Sequence, residues 1–133
     1  MKKLILIVTI LFATISLKSQ NRYPIIPYPN KLIEAEGIFE FKGKLYVNFE
    51  RAFKSEIETV ESIFEEEYFT RLGPSKNGNL VVKKNSSMGR EAYKLTITKD
   101  KILIESNSGT GCFYAFQTIR QLMKLTGSGS CSG

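Results

Sequence analysis

From position 50 to 71 the apolar residues keep one period: Phe53, Ile57, Val60, Phe64 and Tyr68 follow at spacings of four, three, four and four, marking one face of a helix. Gly73-Pro74 reads as its end, a left-handed C-terminal residue followed by one that cannot continue the helix. Further on the period drops to two. Tyr93, Leu95 and Ile97 alternate with Lys94, Thr96 and Thr98, and after Lys99-Asp100 the chain continues as Ile102-Leu103-Ile104-Glu105. That pattern predicts an antiparallel hairpin with one buried face. Shorter strands are predicted over residues 31–36, 38–42 and 45–47, and over 79–84 after the Asn77-Gly78 turn. Pro24, Pro27 and Pro29 forbid helix over residues 23–29 and make that segment an extended lead-in on the domain surface.

A second helix is predicted over residues 112–125, where Phe113, Tyr114, Ala115, Phe116, Ile119, Leu122, Met123 and Leu125 spread around much of the circumference. A helix so apolar is buried on more than one side. Ile63 and Phe69 likewise lie off the stripe of the first helix, so both helices carry more apolar surface than one sheet covers. The order of strands, helix, strands, helix, with a hairpin, predicts an α+β fold: an antiparallel or mixed sheet with two helices packed on one face. Residues 126–133 (TGSGSCSG) read as a flexible Gly/Ser tail.

The first residues belong to a different category. Met1-Lys2-Lys3, an uncharged apolar run from Leu4 to Leu17 and the small Ser19 describe a bacterial-type secretory signal peptide over residues 1–19. With no cysteine before Cys112, a lipid anchor is not expected, so the chain reads as exported, periplasmic or extracellular, without a stable membrane anchor. The 133-residue chain thus holds one domain, residues 20–125, with room for one core. Its formal charge of +6 falls to +3 once Lys2, Lys3 and Lys18 are removed, too little and too mixed for a nucleic-acid partner. Without histidine or a closely spaced cysteine pair, the common zinc ligand sets and imidazole acid/base chemistry are missing. Cys112 and Cys131 read as two separate thiols, although an exported chain could pair them.

Three local motifs invite function and yield to plainer readings. Gly109-Thr110-Gly111 precedes a helix, as phosphate-binding loops do, but Tyr114 stands where a dinucleotide fingerprint needs its third glycine, and no Gly-Lys-Ser/Thr follows. Its glycines read as a tight strand-to-helix turn. Glu65-Glu66-Glu67 is the densest carboxylate cluster, yet consecutive helical residues point in different directions and cannot bracket one glycosidic bond. Asn85-Ser86-Ser87 matches a glycosylation acceptor, here a chance match given the bacterial-type leader.

Three stretches carry a family resemblance. Ile26-Pro27-Tyr28-Pro29 followed by Gly37-Ile38-Phe39 resembles the opening of the N-terminal domain of glycoside hydrolase family 20, and Glu91-Ala92-Tyr93-Lys94-Leu95-Thr96-Ile97 through Ile104 resembles its central hairpin. Most specific is the run from Gly111 to Leu122 (GCFYAFQTIRQL), similar to that domain's closing helix with its Phe-Tyr-Ala, Gln-Thr and Gln-Leu pairs. Together they cover residues 23–125.

The resemblance implies a β-N-acetylhexosaminidase, a glycosidase that removes terminal β-linked N-acetylglucosamine or N-acetylgalactosamine with the substrate's acetamido group as nucleophile. In that family the Asp-Glu pair and the tryptophans of the sugar pocket sit in a following (β/α)8 barrel. This chain has no tryptophan. No catalytic, cofactor-binding or metal-binding residue is therefore assigned to it, and no cofactor is expected. The expected role is a non-catalytic accessory domain whose helix faces meet the barrel, with a free-standing glycan-binding or interaction module as the alternative. For the latter, Tyr23, Tyr28 and Tyr46 are the candidate sugar-stacking aromatics. Mass spectrometry of the exported product is expected to show an N-terminus near Gln20 or Asn21; an intact Met1 on a membrane-bound product would contradict the leader reading.

Overall fold

The computed structural model describes residues 23–34, 37–41, 44–68, 70–126 and 130–132. The expected leader, residues 1–19, lies outside them, as do Phe69 and the side chain of Leu125. Along the chain come β1 (Ile38–Glu40), β2 (Lys44–Phe49), a 3-10 turn (Arg51–Phe53) that runs into α1 (Lys54–Tyr68), and β3 (Arg71–Pro74). They are followed by β4 (Leu80–Lys84), β5 (Tyr93–Ile97), β6 (Ile102–Ser106), α2 (Gly109–Thr126) and β7 (Ser130–Ser132).

Five strands form one mixed sheet in the order β3-β2-β4-β6-β5. The neighbours β2/β3, β2/β4 and β4/β6 are parallel, and β5/β6 is the antiparallel hairpin expected from the period-two pattern, with Leu95 opposite Ile104 and Ile97 opposite Ile102. The α+β class with two helices on the sheet stands. Parallel pairing follows from α1: a helix between β2 and β3 returns the chain to the same end of the sheet, as a crossover requires.

β3 differs from the expectation that Gly73-Pro74 merely stops a helix. The helix ends at Tyr68, and Arg71–Pro74 pairs with Lys44–Val47 at the edge of the sheet. An edge strand tolerates a proline at its last position because no further partner needs its N–H. Gly73 is not left-handed; among the described residues Gly37, at φ 121°, is the glycine with a positive φ. The strand expected over 31–36 is also corrected, since residues 31–34 have no strand pairing and Ile33 is 73% exposed. At the other end, Thr126 belongs to α2, and Ser130–Ser132 in the expected tail pair antiparallel with β1.

Leu45, Val47, Leu80, Val82, Ile102 and Ile104 point to one side of the sheet and meet Phe53, Ile57, Val60 and Phe64 of the α1 stripe and Ala115, Phe116 and Ile119 of α2. The helices touch each other through Phe64 and Phe116, edge to face at 6.1 Å. Part of the cover that the helices need beyond the sheet comes from residues 23–41. Ile25 and Phe39 are buried in the core, and Phe41 packs on Phe39 at 5.2 Å and on Phe64 at 6.1 Å.

The first turn of α2 lies tightly against the preceding loop. A Cβ on Gly111 would strike the Ala92 carbonyl and come within 2.5 Å of Ser106 Oγ, groups that are themselves hydrogen-bonded at 3.2 Å. The nearest atoms a Cβ on Gly109 would meet are those of the Glu56 side chain, whose far end is flexible. Gly111→Ala is therefore expected to destabilise the fold by about 1–3 kcal/mol through overpacking. Gly109→Ala is expected to cost less, because the gain in helix propensity of up to about 1 kcal/mol offsets the displacement of Glu56. Urea unfolding of the two variants checks the order.

Candidate docking surface

The side of α2 turned away from the core carries Thr110, Tyr114, Gln117 and Gln121, at spacings that stack them along one stripe. Tyr114 is 43% exposed, while its neighbour Phe113 lies half-buried against the core. At the C-terminal half of the stripe Gln121 clasps the lead-in. Its Oε1 accepts from the Ile26 backbone N–H at 2.8 Å, and its Nε2 donates to the Ile26 carbonyl at 3.1 Å. This two-point amide clasp mimics a strand pairing, and it holds the lead-in with Ile25 inward and Ile26 outward. The Ile26-Pro27 bond is cis. Ile26, Tyr28, Leu32, Ile33 and Ile38 make a run of exposed apolar side chains along this segment.

Of the residues expected to carry surplus apolar surface on the helices, Phe69 and the side chain of Leu125 lie outside the described residues. Ile63 is half-buried, and the outward positions of α1 are Ser62, Glu58, Glu65 and Glu66, all polar. Among the described residues, the large exposed apolar groups other than Tyr46 on the far face of the sheet are Tyr114 and those of the segment from Ile26 to Ile38. Sequence periodicity could not find the clasp, because it joins residues 95 apart; the only signal was Gln121 within the closing-helix resemblance.

Between the N-terminal halves of the helices runs a cleft of about 510 Å³ lined by Ser55, Glu56, Thr59, Gly109, Thr110, Phe113 and Tyr114. The Glu56 carboxylate lies beside Gly109 at the start of α2, with Ser55 Oγ donating to it at 3.0 Å, while Ser108 accepts from the Gly111 and Cys112 N–H groups. A phosphate would meet that carboxylate, so the turn reading of Gly109-Thr110-Gly111 stands over the phosphate reading. Burial, and then the Glu56 charge, push the Cys112 thiol up to about 12. Cys112 is a free, buried thiol at 0% exposure, protonated and inert as a nucleophile.

The glutamate cluster is dispersed by the helix. Glu65 pairs with Arg71 at 2.9 Å, Glu66 faces solvent, and Glu67 reaches across to α2. There Arg120 donates to Glu67 through Nε at 3.3 Å and through Nη2, with Lys124 at 3.9 Å, while Arg120 Nη1 also donates to Gln117 Oε1 at 2.7 Å. Tyr68 Oη donates to the Arg120 carbonyl at 3.2 Å. These contacts join the two helices, and the three adjacent glutamates go to three different neighbourhoods. Asn85 is taken up by its own turn, its Oδ1 accepting from Ser87 N–H and Oγ.

The three candidate aromatics are not brought together. Tyr23 packs on the core, Tyr28 lies on the lead-in, and Tyr46 stands on the opposite face of the sheet. Among the described residues no three metal-ligating side chains cluster, and no helix is long and apolar enough to cross a membrane.

Residues 22–132 match the family model of glycosyl hydrolase family 20, domain 2. A β-N-acetylhexosaminidase from Bacteroides fragilis superposes with a TM-score of 0.69 at 24% identity, over 81% of this chain and 23% of that one. An exo β-N-acetylglucosaminidase from Vibrio harveyi, solved with N-acetylglucosamine, gives 0.67 at 26% identity over 74% and 16%. A chitobiase from Flavobacterium johnsoniae gives 0.54 at 21% identity over 74% and 18%. The chain therefore spans between 16% and 23% of the length of these solved structures.

The helix-to-helix clasp has a pH signature. Burial raises the Glu67 carboxyl, but the hydrogen bond and charge of Arg120, with the Lys124 charge, outweigh it and hold the group below its ordinary 4.5. A carboxyl lowered in the folded state contributes stability above its unfolded pKa and loses it as pH falls through the folded one. Thermal melts are expected to show that contribution fading below pH 4.5. In Glu67→Gln this part of the acid dependence is absent and the neutral-pH melting point drops by a few degrees, as befits about 1 kcal/mol.

Proposed function

The chain belongs to glycosyl hydrolase family 20 as its domain 2, and on that premise we propose that it is the non-catalytic domain seating the catalytic (β/α)8 barrel of an exported β-N-acetylhexosaminidase. The parent enzyme would remove terminal β-linked N-acetylglucosamine or N-acetylgalactosamine. The reading is carried by the match over residues 22–132 to a module that makes up less than a quarter of each related chain. Supporting it, the sequence has no tryptophan to line a sugar pocket, and the glutamates of the 65–67 cluster are taken up by Arg71, solvent and Arg120.

The docking face in this proposal is the outward stripe of α2 with the lead-in it clasps. Tyr114, Ile26 and Ile33 are exposed there at 43%, 80% and 73%. Burying a large apolar side chain of this kind contributes about 1.5–3 kcal/mol, so three such residues supply much of the driving force for a domain interface. The polar outward face of α1 is less suited to a dry contact, which narrows the expectation of docking through both helix faces to α2 and the lead-in.

The purified chain is expected to release no nitrophenol from an aryl N-acetyl-β-glucosaminide above a buffer blank. Joined to a family 20 barrel, it is expected to slow hydrogen exchange in peptides covering 26–33 and 110–121, while β5 and β6 stay unchanged. Turnover that follows the isolated chain through purification, or protection confined to the sheet, would refute the proposal.

A further inference from the structure

Folding sorts the charges that the sequence intermixes. α1 carries six glutamates against Lys54, and with Arg120 and Lys124 of α2 the helix layer holds six carboxylates against three cations, a net −3. The other face of the sheet is the reverse. Because Leu45, Val47, Val82 and Ile104 point to the helices, the alternation along each strand and the register between strands place Lys44, Lys83, Lys94 and Glu105 on the far side. Lys76 joins them, since the loop that carries it crosses β2 there: Asn48 Nδ2 donates to the Lys76 carbonyl at 2.9 Å. All four lysines are exposed. Glu105 is the one carboxylate among these ladder positions, with Lys94 beside it at 3.6 Å, so this group carries +3.

We infer that this face of the sheet is a binding surface for an anionic polysaccharide. The lysines are too dispersed to converge on one small anion. From Lys44 along β2 to the level of Asn48 and Val81, and on to Lys83, is about 20 Å at the rise of an extended strand. Between those ends lies Tyr46, 48% exposed, with the Lys44 ammonium 5.2 Å from its ring centre. A half-exposed aromatic ring offers a sugar a stacking surface on the side Lys44 leaves free, and ammonium groups spread over β2, β4 and β5 meet repeated carboxylates or sulfates. A lipid surface is the weaker fit: Tyr46 is the only large hydrophobic residue exposed among the described ladder positions of this face, and Val81 is covered. The inference goes beyond seating a barrel, since it concerns the face opposite to the one proposed for docking.

The test uses the whole chain, with polygalacturonate as probe, neutral dextran as control and vesicles of phosphatidylglycerol in phosphatidylcholine as the competing surface. Polygalacturonate is expected to bind at low salt and to weaken by roughly tenfold between about 20 and 200 mM NaCl, as a charge-driven contact of a few lysines does. The double variant K44E/K83E is expected to weaken binding by about fivefold or more, whereas K54E/K124E, the same charge change on the helix layer, alters it by less than about twofold. Circular dichroism confirms that both variants stay folded. Equal losses in the two variants, equal binding to dextran, or binding to the vesicles without binding to polygalacturonate would each overturn the inference.

Discussion

The contact of Phe64 with Phe116 holds the two helices at one distance from each other and from the sheet. Both rings are fully buried. Phe64 also meets Tyr68 at 5.6 Å and Phe41 at 6.1 Å, and through Phe41 the ring of Phe39. One side chain of α1 thus gathers α2 and the strand that precedes the sheet. Loss of such a ring from a core costs about 3–5 kcal/mol, a large part of the 5–15 kcal/mol that holds a domain of this size together. Everything the outer surface does depends on that crossing, because among the described residues Phe64–Phe116 is the ring pair that joins α1 to α2.

Polar groups then fix what the aromatic contact leaves free. A helix resting on rings could still rotate or slide about its axis, since dispersion contacts have no strong direction. Arg120 and Gln121 are consecutive and point to different neighbours, Arg120 to Glu67 on α1 and Gln121 to the Ile26 backbone. On the side toward the sheet, Thr118 Oγ1 lies 2.6 Å from Tyr93 Oη. Three hydrogen-bonded neighbours around one helix leave a single rotation that satisfies all of them. That rotation is the one that turns Tyr114 outward.

How far the sequence disclosed this follows from the range of each interaction. The α1 stripe and the β5–β6 hairpin were legible because both are periodic patterns of burial within a few residues, and Phe53, Ile57, Val60 and Phe64 are all buried as their spacing requires. β3 was not legible: four residues ending in Gly-Pro have no period, and only the neighbouring β2 makes them a strand. Residues 31–34 failed in the opposite sense, with strand-like composition but no strand pairing. The lead-in was recognised as extended, yet its attachment depends on Gln121, far away in the chain. The Glu65-Glu66-Glu67 run shows the limit most clearly, since adjacent residues of identical chemistry have three different environments set by the helix turn and by cations on β3 and α2.

Charge is the property that the linear chain concealed most. Lysine and glutamate alternate closely enough along the sequence to suggest an evenly solvated surface, yet a strand sends alternate residues to opposite faces while an amphipathic helix collects its polar residues on one. α1 accordingly turns Glu58, Glu65 and Glu66 outward, and β2, β4 and β5 direct lysines away from the core. A domain with acid on one layer and base on the other has an oriented field even when its net charge is small, and such a field acts over about a Debye length, near 10 Å at moderate salt. The same field opposes association of two like faces. Two copies meeting through their helix layers would bring acid against acid, whereas the near-neutral strip of α2 and the lead-in, bounded by Glu56 and by the Arg120–Glu67 pair, carries little of it. The surface most open to an apolar partner is therefore also the one where electrostatic repulsion is weakest, and that coincidence comes from the rotation of α2 rather than from any single residue on the strip.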